Sequence, residues 1–489
     1  DCLLSRGLGD VYKRQVLGYL LIALSLVMLI PVIIDLGMGN DTWKSFITSA
    51  IITFGFGVTF LISTRNEENN KILMQDAFLM TSLSWLSISI FGALPFYFSE
   101  SGLNITNSVF ESMSGITTTG SSVIQNVESL TGGILIWRGL LQWMGGIGII
   151  VMAVSILPVL RVGGMQVFRA ESSDTTDKLL PRTTQIASAV ILIYLLLTFV
   201  CLVAYWLGGM NFFDALVHSM TTIATGGFST QNNSFASFNS KSLEYVAIIF
   251  MVLSSLPILI YLEAFKDGFK RIISDTQIIT FLGIILLSSL LVILYLWFME
   301  IKDFEEAIRS GAFNVISIIT GTGYTSDNYN LWGPFPIYLL FFGMFIGGCA
   351  GSTTCGIKVF RFQILFQTLK MQIQKLLHPH GVFVPHYNHK KIEEDVTSSV
   401  MSFFFIFILS FIVITLLLST TELDFVTSLS AAATSLANVG PGLGEMIGPE
   451  NSFYEISTFA KWVLIFSMLL GRLEILTVLV ILHPAFWKK

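Results

Sequence analysis

Apolar runs alternate with short polar breaks along almost the whole chain, and their lengths fall into two classes. Members of the long class approach or exceed the roughly 20 residues that cross a bilayer as a helix. They run from Val16 to Ile34, Phe46 to Ile62, Ile72 to Phe98, Gly133 to Leu160, Ile186 to Leu207, Leu243 to Tyr261 and Ile278 to Phe298. Three more open at Phe335, run from Val396 to Leu418, and run from Phe459 to Leu482. The short class is amphipathic: Ile105 to Ile116, Phe212 to Thr222, Phe304 to Ile319 and Phe425 to Leu436. Such segments are too short to span and suit re-entrant half-helices. The pattern therefore predicts a hairpin followed by four long–short–long units, all helical.

Each short run ends in a glycine stretch: Thr117-Thr118-Thr119-Gly120-Ser121, Ile223-Ala224-Thr225-Gly226-Gly227, Gly321-Thr322-Gly323-Tyr324 and Asn438-Val439-Gly440-Pro441-Gly442. Taking Gly120, Gly226, Gly323 and Gly440 as equivalent, the motif recurs about every 100 residues, and internal repetition decides the architecture before any local reading does. Glycine tolerates positive φ, so such a segment can turn its carbonyls to one side. Four of them around an axis give rings of carbonyl oxygens that can replace the hydration shell of K⁺. The competing reading is four ordinary turns between membrane helices. Irregular backbone at membrane depth survives only inside protein or along a water-filled cavity. Half-helices ending there also aim the negative ends of their dipoles at a cation.

The run opening at Phe335 is interrupted by Gly347-Gly348-Cys349-Ala350-Gly351-Ser352-Thr353-Thr354-Cys355-Gly356, and Lys358 follows. Each glycine in a helix interior costs about 1 kcal/mol, and a charge at membrane depth faces a bundle interior or water. Gly347, Gly348, Gly351, Gly356 and Lys358 are thus expected in a flexible loop that restrains ions. The alternative is close helix packing, because Gly347 and Gly351 fit small-xxx-small spacing. Arg472 stands in the middle of the last span as a permanent positive charge and a candidate electrostatic barrier. Glu474, two residues on, lies on another helix face, so the alternative role of Arg472 is a salt bridge between helices. The two roles can coexist.

Composition narrows the class. Of 489 residues, 53% are hydrophobic and 12% charged, against roughly 25% charged in soluble domains. The net charge of −5 argues against nucleic-acid binding. Cys2, Cys201, Cys349 and Cys355 form no zinc-like spacing or disulfide framework. Basic residues gather on one side of the spans: Arg65, Lys71, Arg161, Arg169, Lys178, Arg182, Lys266, Lys270, Arg271, Arg361, Lys370, Lys375, Lys390, Lys391, Lys488 and Lys489. That side, with both termini, is expected to be cytoplasmic. Lys241, Lys302 and Arg309 lie on the opposite side, beside Glu100, Glu128, Asp303, Glu422, Asp424, Glu445 and Glu450, giving a mildly acidic mouth that concentrates cations. Asp1 to Gln15 fall outside the pattern; lacking an apolar h-region and a cleavage site, they read as an assembly scar.

Other signals are weaker. His378, His380, His386 and His389 read as a solvated loop that touches a partner rather than as a metal site, His218 as a hydrogen-bonded structural residue, and Arg138 as an interfacial anchor. No P-loop, GxSxG or HExxH motif appears, which disfavours an enzyme. Parallel repeats disfavour a solute transporter built from inverted ones, and the lack of a regular arginine helix excludes a voltage sensor.

Four helix–pore helix–helix units carrying TTTGSS, ATGGFST, TGTGYTS and ANVGPG in order resemble the Trk/Ktr/HKT superfamily of potassium transporters from Val16 to Lys489. The extra hairpin is similar to the TrkH branch rather than the shorter KtrB branch. The resemblance implies an all-α polytopic bacterial inner-membrane protein: a hairpin (16–70) and pore repeats at 71–160, 161–264, 265–394 and 395–489 around a pseudo-fourfold pore. Its ion-coordinating carbonyls would fall on Thr118, Thr119, Ala224, Thr225, Gly321, Thr322, Asn438 and Val439, beside the four glycines. It further implies gated K⁺ uptake with no organic cofactor and no metal beyond K⁺, a homodimer with one pore per subunit, and a cytosolic nucleotide-binding regulator of the TrkA type. Serine at the Gly120 position marks Na⁺ preference in the family, so glycine there favours K⁺. The alternative is a Na⁺-permeable or Na⁺-coupled transporter of the same fold.

Overall fold

The computed structural model describes residues 2–64, 74–99, 102–155, 164, 183–268, 270–388 and 390–487. Arg65, Lys71, Glu100, Arg161, Arg169, Lys178, Arg182, His389, Lys488 and Lys489 lie outside them. Among the described residues the protein is helical apart from a two-residue antiparallel pairing, His386–Tyr387 with Lys390–Lys391. Among the described residues seven helices are long and apolar enough to cross a membrane, and two bent pairs bring the count to nine. In the third repeat the short apolar helix Pro334–Gly343 is separated from Val359–Leu377 by fifteen non-helical residues, 344–358.

The N-terminal hairpin starts earlier than its hydropathy suggested. Its first helix runs Cys2–Val27 and continues as Leu29–Met38 before turning into Trp43–Ile62. The two arms meet at glycines: a Cβ on Gly18 would lie 2.9 Å from the Gly57 carbonyl oxygen. The hairpin is fastened to the first repeat through the buried Asp35. Its carboxylate accepts from the Gly133 amide at 2.7 Å and the Thr42 hydroxyl at 2.6 Å, capping the helix Gly132–Ser155 at its positive end.

The four half-helices form close to where their amphipathic pattern placed them: Ile105–Ile116, Phe212–Ile223, Phe304–Ile319 and Phe425–Ala437. Asn104, Asn211, Asp303 and Asp424 occupy their N-caps, and all but Asp303 accept backbone amides there, the preferred chemistry at a helix start.

The second helices of the repeats depart from expectation. Lys241–Ser254 and Ile258–Ala264 meet at 89°, and Thr458–Arg472 and Ile475–Leu482 at 113°, where straight spans over Leu243–Tyr261 and Phe459–Leu482 were predicted. Pro257 explains the first bend, since proline removes an amide donor and drives its predecessor out of helix. At the second, Glu474 adopts φ +61°. No local breaker dictates it; tertiary contacts hold the turn. In the third repeat, Gly347, Gly351, Gly356 and Lys358 all have positive φ. The close-packed helix is thereby excluded, because residues 344–358 are not helical.

Candidate ion filter and gate

All four half-helices end in the same way. The amides of Thr119, Gly226, Thr322 and Val439 each donate five residues back, to Ser114, Thr221, Ser317 and Thr434, at 2.9 Å. This is the long bond of a Schellman cap, whose preceding residue is left-handed. Thr118, Thr225, Gly321 and Asn438 fill that place at φ +53°, +50°, +71° and +53°. Left-handed backbone costs an L-residue roughly 1–2 kcal/mol, so Thr118 and Thr225 hold strain that the surrounding protein must impose.

Two residues further on, Gly120, Gly227, Gly323 and Gly440 have φ +88°, +76°, +79° and +113°. A Cβ on Gly120 would overlap the Gly226 carbonyl oxygen, one on Gly227 that of Thr322, and one on Gly323 that of Val439. On Gly440 it would lie 2.7 Å from that of Thr119. The circuit runs strand 1 to 2 to 3 to 4 and closes on strand 1, which makes it a pseudo-fourfold ring with glycine enforced at every corner. The same four glycines line a cavity of about 400 Å³ together with Glu445, Glu450 and Glu455. Of the acids expected at the mouth, Glu445 and Glu450 are there; Glu455 was not foreseen.

This geometry corrects the second filter by one residue. Gly227, not Gly226, is the equivalent of Gly120, and Thr225-Gly226 matches Thr118-Thr119. Ala224 stays in right-handed helical conformation as a C-cap. Gly226 is glycine for another reason: a Cβ there would run into the Gln142 side chain. The Gln142 Nε2 donates to the Gly226 carbonyl at 2.6 Å, and its Oε1 accepts from the Phe228 amide at 3.0 Å.

Behind the strands lie buried polar braces. Arg138 is not an interfacial anchor: it is 2% exposed and ion-pairs with Glu111 at 2.8 Å. Its other nitrogens donate to the Ser229 carbonyl at 2.9 Å and the Ser122 hydroxyl at 3.3 Å, so one guanidinium joins the first and second strands. Glu111 also accepts from the Ser122 hydroxyl and the Val123 amide. His218 is the hydrogen-bonded structural residue anticipated, between the Asp214 carbonyl at 2.9 Å and the Ser229 hydroxyl at 3.0 Å. Tyr324 reaches back to Thr221 at 2.5 Å, and the Ser121 hydroxyl donates to the Gly440 carbonyl at 2.7 Å. Glutamate or arginine inside a half-helix or span was the available signal for the Glu111–Arg138 pair, since buried charge needs a partner.

The interrupted third span supplies a loop that is seated on the break of the second repeat. The Cys349 amide and the Thr353 hydroxyl donate to the Ser255 and Ser254 carbonyls, at 3.0 and 3.1 Å. The Ile258 amide donates in return to the Gly351 carbonyl at 2.9 Å. Helix ends orphan their last carbonyls and first amides, and the loop satisfies both sides of this break. Thr353 also accepts at 3.2 Å from Thr225 of the second glycine strand, which places the loop against that strand. A Cβ on Gly347 would strike the Cys355 carbonyl oxygen, and one on Gly348 would lie 2.6 Å from the Thr354 hydroxyl. Gly356 packs on Gly347, and Lys358, 4% exposed, starts the next helix.

Arg472 makes no ion pair among the described residues. Buried to 1% exposure, it donates to the Thr353 carbonyl at 3.1 Å, to Cys355 Sγ, and to the Gly145 carbonyl at 2.8 Å. The interhelical salt bridge belongs instead to its neighbour Glu474, which pairs with Arg361 at 2.6 Å. Arg361, expected in a basic loop, is fully buried.

Fold and site together define a polytopic membrane protein with four pore repeats around one axis. A profile for TrkH, a cation transport protein, matches residues 43–489. The chain is 42% identical to the Trk system potassium uptake protein TrkI of Halomonas elongata, over 99% of both chains. It is 36% identical to the Trk system potassium uptake protein TrkH of Escherichia coli, over 97% of this chain and 99% of that one. The crystal structure of the potassium transporter TrkH from Vibrio parahaemolyticus superposes with a TM-score of 0.89 at 35% identity, covering 97% and 99% of the two chains. The chain belongs to the TrkH family of cation transport proteins.

Proposed function

We propose that this chain takes up K⁺ through a gated pore whose filter is the ring of carbonyls at Thr119, Gly226, Thr322 and Val439. The observation that carries the reading is the closed glycine–carbonyl circuit, in which each glycine gives way to a neighbour's oxygen. Carbonyl rings of this kind stand in for the water shell of the ion, and four helix C-termini add negative potential from behind. Curated relatives named as potassium uptake proteins support K⁺ as the ion, and glycine at position 120 supports it over Na⁺. The loop 344–358 and Arg472 form the gate beneath the filter. The protein sits in the bacterial cytoplasmic membrane with both termini inside, works as a homodimer, and answers to a cytosolic nucleotide-binding subunit. Purified protein in liposomes is expected to take up Rb⁺ in exchange for internal K⁺ and to exclude Na⁺. Equal Na⁺ uptake would favour the Na⁺-permeable alternative.

A further inference from the structure

The filter ring is not electrically uniform. Among the described residues, the Gly226 carbonyl accepts a side-chain amide proton, whereas no hydrogen bond reaches the carbonyls of Thr119, Thr322 or Val439. The donor, Gln142, is fully buried and comes from the second helix of the neighbouring first repeat. It grips both sides of the left-handed Gly227: Nε2 holds the carbonyl before it and Oε1 the amide after it. An amide side chain suits this, because it holds a donor and an acceptor side by side on one planar, uncharged group.

We infer that Gln142 is a positioning residue that sets ion preference in the second filter strand, an inference that rests on the carbonyl-ring filter proposed above. Two effects act in the same direction. The clamp prevents the Gly226–Gly227 peptide from tilting inward to meet a smaller ion. The donated proton also draws electron density from one carbonyl in four, lowering its field. Discrimination depends on the number and field strength of the coordinating carbonyls and on how freely they adapt. A weaker, fixed ligand favours the larger ion, whose water is easier to strip. The same clamp explains why residue 226 is glycine without a positive φ: the Gln142 amide occupies the place a Cβ would need.

The test compares K⁺ with Na⁺ flux per folded molecule in liposomes for the parent, Gln142→Leu, the double variant Gln142→Ala/Gly226→Ala, and Gly120→Ser as the filter control. Gln142→Leu is expected to lower the K⁺/Na⁺ ratio at least fivefold with the melting temperature little changed. In the double variant the alanine methyl refills the space the amide leaves, so it is expected to fold and to show the same loss of discrimination. Gly226→Ala alone is expected to lose yield, which Gln142→Ala restores, while Gly227→Ala is not rescued because its own φ and the Thr322 oxygen forbid a Cβ. A parental ratio in Gln142→Leu or in the double variant, with the Gly120→Ser ratio collapsed, overturns the role of Gln142 and leaves the filter standing. A parental ratio in all three overturns the filter itself.

Discussion

Glu474 ignores the arginine two residues before it and pairs with Arg361, 113 positions away in the chain, Nη2 to Oε2 at 2.6 Å. The pair joins the first turn of the helix that follows the loop 344–358 to the bend of the fourth repeat. Arg361 also donates to the Ile357 carbonyl at 3.0 Å and stacks 3.7 Å above the Phe403 ring. Removing one partner of a buried pair leaves an uncompensated charge and costs about 3–5 kcal/mol. Glu474→Gln is therefore expected to lower the melting temperature sharply in detergent. Arg361→Met/Glu474→Gln should recover most of the loss, because neither charge of the pair is then left without its partner. Equal melting of single and double variants would show that the pair contributes little.

Gly120→Ser asks an L-side chain to adopt φ +88° beside the Gly226 carbonyl oxygen. The ring must distort to admit it. Lower yield and, per folded molecule, reduced K⁺/Na⁺ discrimination are expected, read as competing Rb⁺ and Na⁺ uptake. Unchanged ion preference would remove Gly120 from the filter.

The loop 344–358 touches Thr225 and bridges the break at Pro257, contacts through which the proposed gate would restrain flow. Shortening it across Gly347–Gly356 removes those contacts. Higher K⁺ flux, with weaker dependence on any cytosolic regulator, is the expected outcome of liposome assays. A folded deletion variant with parental flux contradicts a gating role.

Arg472 combines a fixed charge with a tether. At an effective dielectric near 20, two unit charges about 6 Å apart repel by roughly 3 kcal/mol, equivalent to about two orders of magnitude in passage rate. Its two terminal nitrogens hold separate carbonyls, those of Thr353 and Gly145, a fork that a single ammonium cannot reproduce. Arg472→Ala is expected to raise flux without altering selectivity. Arg472→Lys keeps the charge but loses one arm of the tether, so intermediate flux is expected. Unchanged flux with lower stability in Arg472→Ala would reduce the residue to a structural anchor.

Much of this protein is local, and what is local was legible. Hydropathy length separated spans from half-helices, because a bilayer and a half-helix impose different run lengths. The pore-helix ends were foreseen to within about one residue, since caps and glycine stretches act over a single turn. The break of the third span followed from glycine density alone. The bend at Pro257 was also written in the chain, though apolar continuity from Leu243 to Tyr261 obscured it.

What only the tertiary structure decided depends on neighbours distant in sequence. In Thr225-Gly226-Gly227 both glycines look equivalent; Gly227 is fixed by the Thr322 carbonyl and Gly226 by Gln142, two contacts from different repeats. Arg138, Arg472 and Arg361 read as an interfacial anchor, a mid-span charge and a loop cation, yet one braces the first and second glycine strands, one holds the loop 344–358 and one pairs across the bend. A buried charge or amide must find a partner, and the sequence states that requirement but not the address. Folding brings residues such as Gly145 and Arg472 within 2.8 Å, and that proximity assigns each polar group its role.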